Sequence, residues 1–384
     1  MRKAIYLLLI FLVVIFSFNT TTTVCADTLS ENIDEQLKNL DLSQFEIFFN
    51  NIKDLPNNID FFSYVNGLLE GKYDLKFDNI FSYLFKLLIS NIANFIPSFV
   101  SIIAIALLCN LLQKIKSNIA SDGIGEMIVF VCLLSIIVLL SSQIISLWKN
   151  TKIIIENIAK LSKIMSPIIL TLMVASGANV SASVYKPAVA FLSNGVISAF
   201  LYIIMPLIAI MIIFYIVSSF STTAKLSKFI DVSVSAIKWI IGLIITIFTV
   251  FLSVQGITSA TFDGISIKAT KYAISNSIPL VGGFIKDGFD LVVAGTVIIK
   301  NVIGITGAFA LFYIILSPLL QIVAFSLLLK LLSAILQPIA DNKIIVFCDG
   351  MSKCISYLSV VLISIGFMLF ITILLITFSA NAFI

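Results

Sequence analysis

Residues 301–329 form a stretch of 29 positions without one charge. About 20 apolar residues suffice to cross a hydrocarbon core roughly 30 Å thick. Inside that core only a helix or a closed barrel satisfies its own backbone. Uncharged runs recur at 95–112, 127–147, 196–217, 239–260 and from 355 to the end, too long for strands of a barrel. The run at 301–329 has Pro318 near its middle and fits either one long kinked helix or two short spans. The expected fold is therefore all-α: a polytopic helical membrane protein with about six to eight transmembrane helices, some of them broken or re-entrant. The composition agrees, with 60% hydrophobic and 11% charged residues, against about a quarter charged in a soluble domain.

The start of the chain has a different character. Arg2 and Lys3 precede an apolar core at 4–18, and Val24, Cys25 and Ala26 make a small-residue cleavage site. This predicts a secretory signal peptide over 1–26, with an uncleaved first anchor as the alternative. Residues 27–86 carry eleven acidic side chains against five lysines, whereas 87–384 carry seventeen lysines against nine acids. That asymmetry marks a segment outside the bilayer joined to a membrane body. The expected organisation is a signal peptide at 1–26, an acidic amphipathic extracytoplasmic segment at 27–92, and a polytopic domain at 93–384. Ile33, Leu37 and Leu40, then Phe45, Phe48 and Ile52, recur near helical spacing. Two or three short helices follow, with Ser30 and Ser43 as N-caps and Pro56 as a stop. They pack on one another or lie on the bilayer, and they can at the same time offer a docking surface to a partner outside the membrane.

Two places interrupt the apolar pattern. Residues 164–175 supply only twelve apolar positions, about 18 Å of helix and too short to span. Small and polar residues follow, and then 38 uncharged residues at 187–224, more than one crossing needs. A short helix, a tight turn near Gly177 and Asn179, and a second short helix before the next span would solve this. Gly177, Asn179, Ser181, Lys186 and Pro187 are the candidate packing or pathway residues here, because irregular backbone at membrane depth must be buried in protein or line a wet cavity. Lys186 must reach an interface or a partner.

The second interruption covers 277–307. Pro279 opens it, Gly282 and Gly283 loosen it, and Lys286, Asp287 and Asp290 sit inside it. Asp287 and Asp290 are three apart and share a helix face. Gly304 and Gly307 offer close-approach points, with Lys300 and Asn301 beside them. Ionisable residues in a membrane segment are functional candidates; the plainer alternative is a surface helix with its charges in water. Residues 149–163, rich in lysine, read as a separate basic amphipathic helix at the interface. Lysine placement does not settle the topology: with a cleaved leader this basic segment falls outside, against the positive-inside tendency.

Several function classes are excluded. The chain has no histidine, no HExxH, no GxSxG and no P-loop, which leaves no recognisable catalytic apparatus. The five cysteines have no metal-ligand spacing and read as small buried hydrophobes. No metal or cofactor is expected. Nucleic-acid binding is not expected either, since the net charge of +4 is spread singly along the chain.

The segment PLVGGFIKDGFDLVVAGTVIIKNVIGITG resembles the P-x-V-G-G…D-x-x-D…G…L-K-N-x-x-G-x-x-G hallmark of the stage III sporulation protein AE family of endospore-forming Firmicutes. The later stretch SPLLQIVAFSLLLKLLSAILQPIADNKI is similar to that family's late segment, with Pro318, Lys330, Gln337, Pro338 and Asp341 in matching places. Lys286 departs from the pattern, where a small or polar residue is expected. The resemblance implies a mother-cell protein of the outer forespore membrane. It would be a permease-like structural subunit of a secretion-like channel complex between mother cell and forespore, needed after engulfment. It also implies partners: other membrane subunits, ring-forming proteins, a separate cytoplasmic ATPase, and further copies of the chain itself. The rival reading is a stand-alone secondary transporter coupling cations or protons through Asp287 and Asp290.

Overall fold

The computed structural model describes residues 33, 36–37, 40–52, 60–69, 77–116, 122–220, 226–277 and 282–379. For 77–81, 116, 122–123, 254–262, 264–267, 274–277 and 282–287 it describes the backbone alone. The leader at 1–26, Ser30, Pro56 and Pro279 lie outside these residues.

The described residues are helical throughout, without a strand. Two short helices, α1 (Ser43–Asn50) and α2 (Phe61–Leu69), precede α3 (Phe77–Lys116) and α4 (Asp122–Ala175). Next come α5 (Asn179–Ala190) and α6 (Met205–Phe220), joined without a break by two π-helical turns, Phe191–Val196 and Phe200–Ile204. The chain ends with α7 (Ser227–Ser277), α8 (Gly282–Leu336) and α9 (Asn342–Phe378). Among the described residues, six helical rods are long and apolar enough to cross a membrane: α3, α4, the joined α5–α6, α7, α8 and α9. The chain is thus an all-α polytopic membrane protein.

The rods run up and down. At one end of the bundle, Asn110 of α3 donates to the Ile339 carbonyl in the α8–α9 turn, and Phe130 of α4 meets Phe220 of α6. Near mid-length, Trp148 Nε1 donates to the Met205 carbonyl at 3.3 Å and Asn150 to Gln321 at 3.3 Å. At the other end lie the α4–α5 turn and the C-terminus of α9. Helix α9 is the centre, with 67% of its most apolar window buried, while α7 is the most exposed at 22%.

The α8–α9 seam explains that burial. Ser326, Ser352 and Ser356 bond across it, with the Ser326 and Ser356 hydroxyls 2.7 Å apart. A Cβ on Gly350 would strike the Tyr215 ring of α6, and one on Gly366 would strike Ile315 of α8. Lipid tails are as apolar as leucine, so close approach and interhelical hydrogen bonds, rather than hydrophobicity alone, drive such packing. The described cysteines, Cys109, Cys132, Cys348 and Cys354, are buried free thiols within this bundle.

Two local expectations are corrected, and one left open is decided. Residues 149–163 are not a separate surface helix but the middle of α4, 54 residues and about 80 Å long. Their inner stripe, Thr151, Ile155, Ile158 and Leu161, is fully buried, and only the lysine face looks outward. No glycine or proline stands between Glu126 and Pro167 to stop the helix. Likewise 164–175 is not a short helix of its own, but the last turns of α4. Residues 301–329 form one helix across Pro318, within α8.

Pro206 is absorbed differently. A proline ring in a helix meets the carbonyl four residues back. The π turn ending at Ile204 widens the helix at that point, so α6 continues.

The acidic N-terminal segment docks onto the bundle. Asn50, the last residue of α1, accepts from the Phe61 amide at 3.0 Å and donates to Asp60 at 2.9 Å, capping α2. Ser43 is not the N-cap: it is the first helical residue, and Asp41 accepts from both its hydroxyl and its amide. Those bonds hold the exposed Asp41 carboxyl below its usual range. Phe45, Phe49, Phe61 and Tyr64 make an aromatic cluster that stacks on Phe309 of α8, with the Tyr64 and Phe309 rings 4.4 Å apart. Gln36 accepts from Thr296 of α8 at 3.0 Å. Helix α3 then runs unbroken across positions 92 and 93.

Candidate functional site: helix ends held by buried charges

The turn after α4 is built as the sequence requires. The Ala178 amide donates to the Met173 carbonyl and the Gly177 amide to the Val174 carbonyl. This is the Schellman arrangement, which needs a left-handed residue at its pivot. Gly177 supplies it with φ 87°. Helix α5 then starts at Asn179 from Ala178, which has no side chain able to cap it.

The missing cap comes from elsewhere in the chain. Asp263 of α7, fully buried, accepts from the Val180 amide at 2.9 Å and from the Ser181 amide at 3.0 Å. A carboxylate there satisfies two orphan donors and faces the positive end of the helix dipole. Asp263 thereby ties the α4–α5 hairpin to α7. Ser181 is buried beside it, while Asn179, Lys186 and Pro187 are exposed. Asn179 contributes through its carbonyl, which accepts from Ser183.

A charge of opposite sign does the complementary work on α9. Lys300 is fully buried, and its Nζ donates to the Ser379 carbonyl at 2.5 Å, at the C-cap of α9. A cation at that end meets the negative pole of the helix and an unsatisfied carbonyl. One turn along α8, a Cβ on Gly304 would overlap the Thr377 side chain of α9. One turn further, a Cβ on Gly307 would overlap Met165 of α4. Asn301, next to Lys300 in sequence, is half-buried and engaged. Lys300, Gly304 and Gly307 thus form one contact face, binding α8 to the end of α9 and to α4.

Of the predicted acidic pair, only Asp290 has a described side chain. Asp290 Oδ1 lies 2.7 Å from Lys271 Nζ of α7, an ion pair by distance although no well-aligned hydrogen bond forms. Both side chains remain partly exposed. Gly282, Gly283, Lys286 and Asp287 lie in the first turns of α8, described by backbone alone.

Asp263 was missed by sequence reasoning. It ends a 24-residue uncharged run at 239–262, and so reads as the edge of a span. Two signals could have paired it with α5: a lone carboxylate after such a run, and a helix start at Ala178 with no cap of its own. Among the described residues no group of three acidic or cysteine side chains could hold a metal ion.

A family model described as Stage III sporulation protein AE matches residues 59–380. A curated protein named Stage III sporulation protein AE, from Bacillus subtilis (strain 168), is 26% identical over 282 residues, covering 73% of this chain and 70% of that protein. No solved structure matches. The match takes in both the Asp263-capped hairpin and the Lys300–Gly304–Gly307 face, and the chain belongs to the stage III sporulation protein AE family.

Proposed function

We propose that this chain is a membrane-embedded, permease-like structural subunit of a channel complex linking mother cell and forespore, with no catalytic role of its own. One observation carries this reading. Among the described residues the two fully buried charged side chains, Asp263 and Lys300, are spent on helix ends, and Asp290 pairs with Lys271. Charges that close a scaffold support a platform subunit over a self-sufficient carrier, which needs carboxylates free to load and release a cation.

Loop charge at three connections supports one orientation. Lys114, Lys116, Lys228 and Lys343 flank the α3–α4, α6–α7 and α8–α9 connections. Short loops rich in lysine favour the cytoplasm, here that of the mother cell. The N-terminal helices and the α4–α5 turn then face the space between the two forespore membranes. The lysines at 149–163 do not oppose this, because they ride on a long packed helix rather than a short loop. Partners would be further membrane subunits and ring-forming proteins on the outer side, and a separate ATPase on the cytoplasmic side.

The test is a clean deletion in the source organism, scored for heat-resistant spores, membrane morphology and late forespore reporters. Loss of spores after completed engulfment, with silent reporters and rescue by the gene, is the expected outcome. Normal sporulation rejects the proposal. Transport by the purified chain alone in vesicles would favour the rival carrier.

A further inference from the structure

Helix α4 carries its charge at a depth where its neighbours carry none. Lys149, Lys152, Glu156, Lys160 and Lys163 recur at steps of three and four and share one exposed face. None of them has a hydrogen-bond or ion-pair partner among the described residues. Asn150 bonds Gln321 at 3.3 Å, and Met165 lies where a Cβ on Gly307 would fall. The lysine face thus runs beside 307–321 of α8, within the uncharged 301–329. Ile315 of that stretch lies against Gly366 of α9, inside the uncharged run from 355 to the end.

Helix α7, which packs on α5, α6, α8 and α9, fixes the same depth from another side of the bundle. Its uncharged run long enough to span is 239–262, between Lys238 and Asp263. The Ser162 hydroxyl of α4 lies 2.7 Å from that of Ser193, and the nearby Phe191 meets Phe251 of α7 with ring centroids 6.0 Å apart. Lys163 is therefore level with the middle of the α7 run. On that run α7 exposes Leu243, Ile247 and Val250, as a lipid-facing helix does. At one depth the bundle shows an apolar face on α7 and a basic face on α4. Inside a membrane, ionisable groups face a bundle interior or a water-filled cavity rather than lipid tails.

A route for water adjoins the basic face. A cavity of about 740 Å³ opens between α1, α4 and α8, where Asn51, Asn150, Asn157, Lys160 and Ser317 bring polar groups to its wall. Phe95 of α3 meets Phe325 of α8, which sets Asn91 beside Gln321, the partner of Asn150. Asn91 Nδ2 and, further along α4, Gln143 Oε1 are buried without a hydrogen-bond partner among the described residues. Buried polar atoms of this kind are ordinarily satisfied by water.

We infer that the lysine face of α4 borders water within the bilayer and forms one wall of an anion-attracting conduit. Four lysines against one glutamate raise the local concentration of anions along that wall. The inference rests on the channel reading and deepens it, since the solutes favoured here are anionic.

The test is cysteine labelling in membranes from sporulating cells, with the full-length protein in its complex. Lys152→Cys, Glu156→Cys and Lys163→Cys probe α4, and Leu243→Cys, Ile247→Cys and Val250→Cys probe α7 at matching depth. Glu156→Cys keeps every lysine and serves if a lysine variant does not fold. Charged, membrane-impermeant methanethiosulfonates react with thiols in water, so the α4 sites should label about tenfold faster than the α7 sites. After correction for each reagent's rate with a free thiol, an anionic sulfonate should outpace a cationic trimethylammonium by about threefold at Glu156→Cys. Adding Lys152→Gln and Lys160→Gln should remove that preference. Equal labelling of the two faces would place this depth outside the bilayer and overturn the inference. Unlabelled α4 sites would overturn it too, because lipid or a partner protein then covers the face, and so would labelling with no preference for the anion. A sealed α4 face together with spore loss in the deletion would leave the channel reading standing and move the conduit elsewhere. A labelled, anion-preferring face in a chain whose deletion sporulates normally would keep the hydrated wall and remove the channel reading.

Discussion

The two interruptions of the apolar pattern look alike in sequence and fold differently. Both are rich in small residues, and both hold a lysine and a proline. The first is a true turn: Gly177 at φ 87° pivots a Schellman closure between α4 and α5. The second, where described, is unbroken helix from Gly282 to Leu336, and its Gly304 and Gly307 serve contact rather than turning. A glycine thus has two separate uses in a membrane bundle. One is a backbone conformation that other residues enter only with strain. The other is the absence of a Cβ where a second helix passes.

Substitution separates the two uses, and the contact glycines should give the largest effect. Gly304→Leu puts a branched side chain where even a Cβ would overlap Thr377. Overpacking by a few methylenes costs about 1–3 kcal/mol and sometimes more, so accumulation of folded protein in membranes should fall sharply. Gly304→Ala should sit between Leu and wild type. Wild-type levels of Gly304→Leu would mean that α8 and α9 do not meet there.

Next comes the cap that holds the turn in place. Asp263→Ala leaves the Val180 and Ser181 amides without their acceptor. Hydrogen bonds to a charged group are worth about 1.5–3 kcal/mol net. Asp263→Asn keeps an acceptor and should lose less. The readout is protease cleavage at the 175–179 turn, which should rise in Asp263→Ala before global unfolding. Gly177→Ala acts on the same turn through φ alone and should cost about 1–2 kcal/mol.

These effects also show how far the sequence could be read. The all-α membrane class and the spans follow from uncharged runs, because bilayer thickness and backbone satisfaction leave little choice. The turn at Gly177 was legible because a glycine and small polar residues stand where the apolar run ends. The length of α4 was not, since a lysine-rich stretch looks the same on a bilayer surface as on one face of a long packed helix. Lys300 and Gly304 were legible as candidates through their motif, but not their partners near residue 379. Contacts between positions 79 and 83 residues apart, such as Lys300–Ser379 and Asp263–Val180, leave no periodic trace.

The smallest expected effect is at the acidic pair, and it sharpens the functional side of the comparison. Asp290 and Lys271 are partly exposed, and an exposed ion pair contributes about 0–1 kcal/mol. Asp290→Asn should therefore leave protein levels and thermal stability nearly unchanged. In a scaffold, spore yield should follow stability and stay near wild type in Asp290→Asn, with a modest fall once Asp287→Asn is added. In a carrier, the double substitution would remove the coupling carboxylates and abolish spores while the protein remained folded at normal levels. A folded, abundant and inactive double variant would overturn the platform reading and make the acidic pair, rather than the glycine face, the working part of the segment.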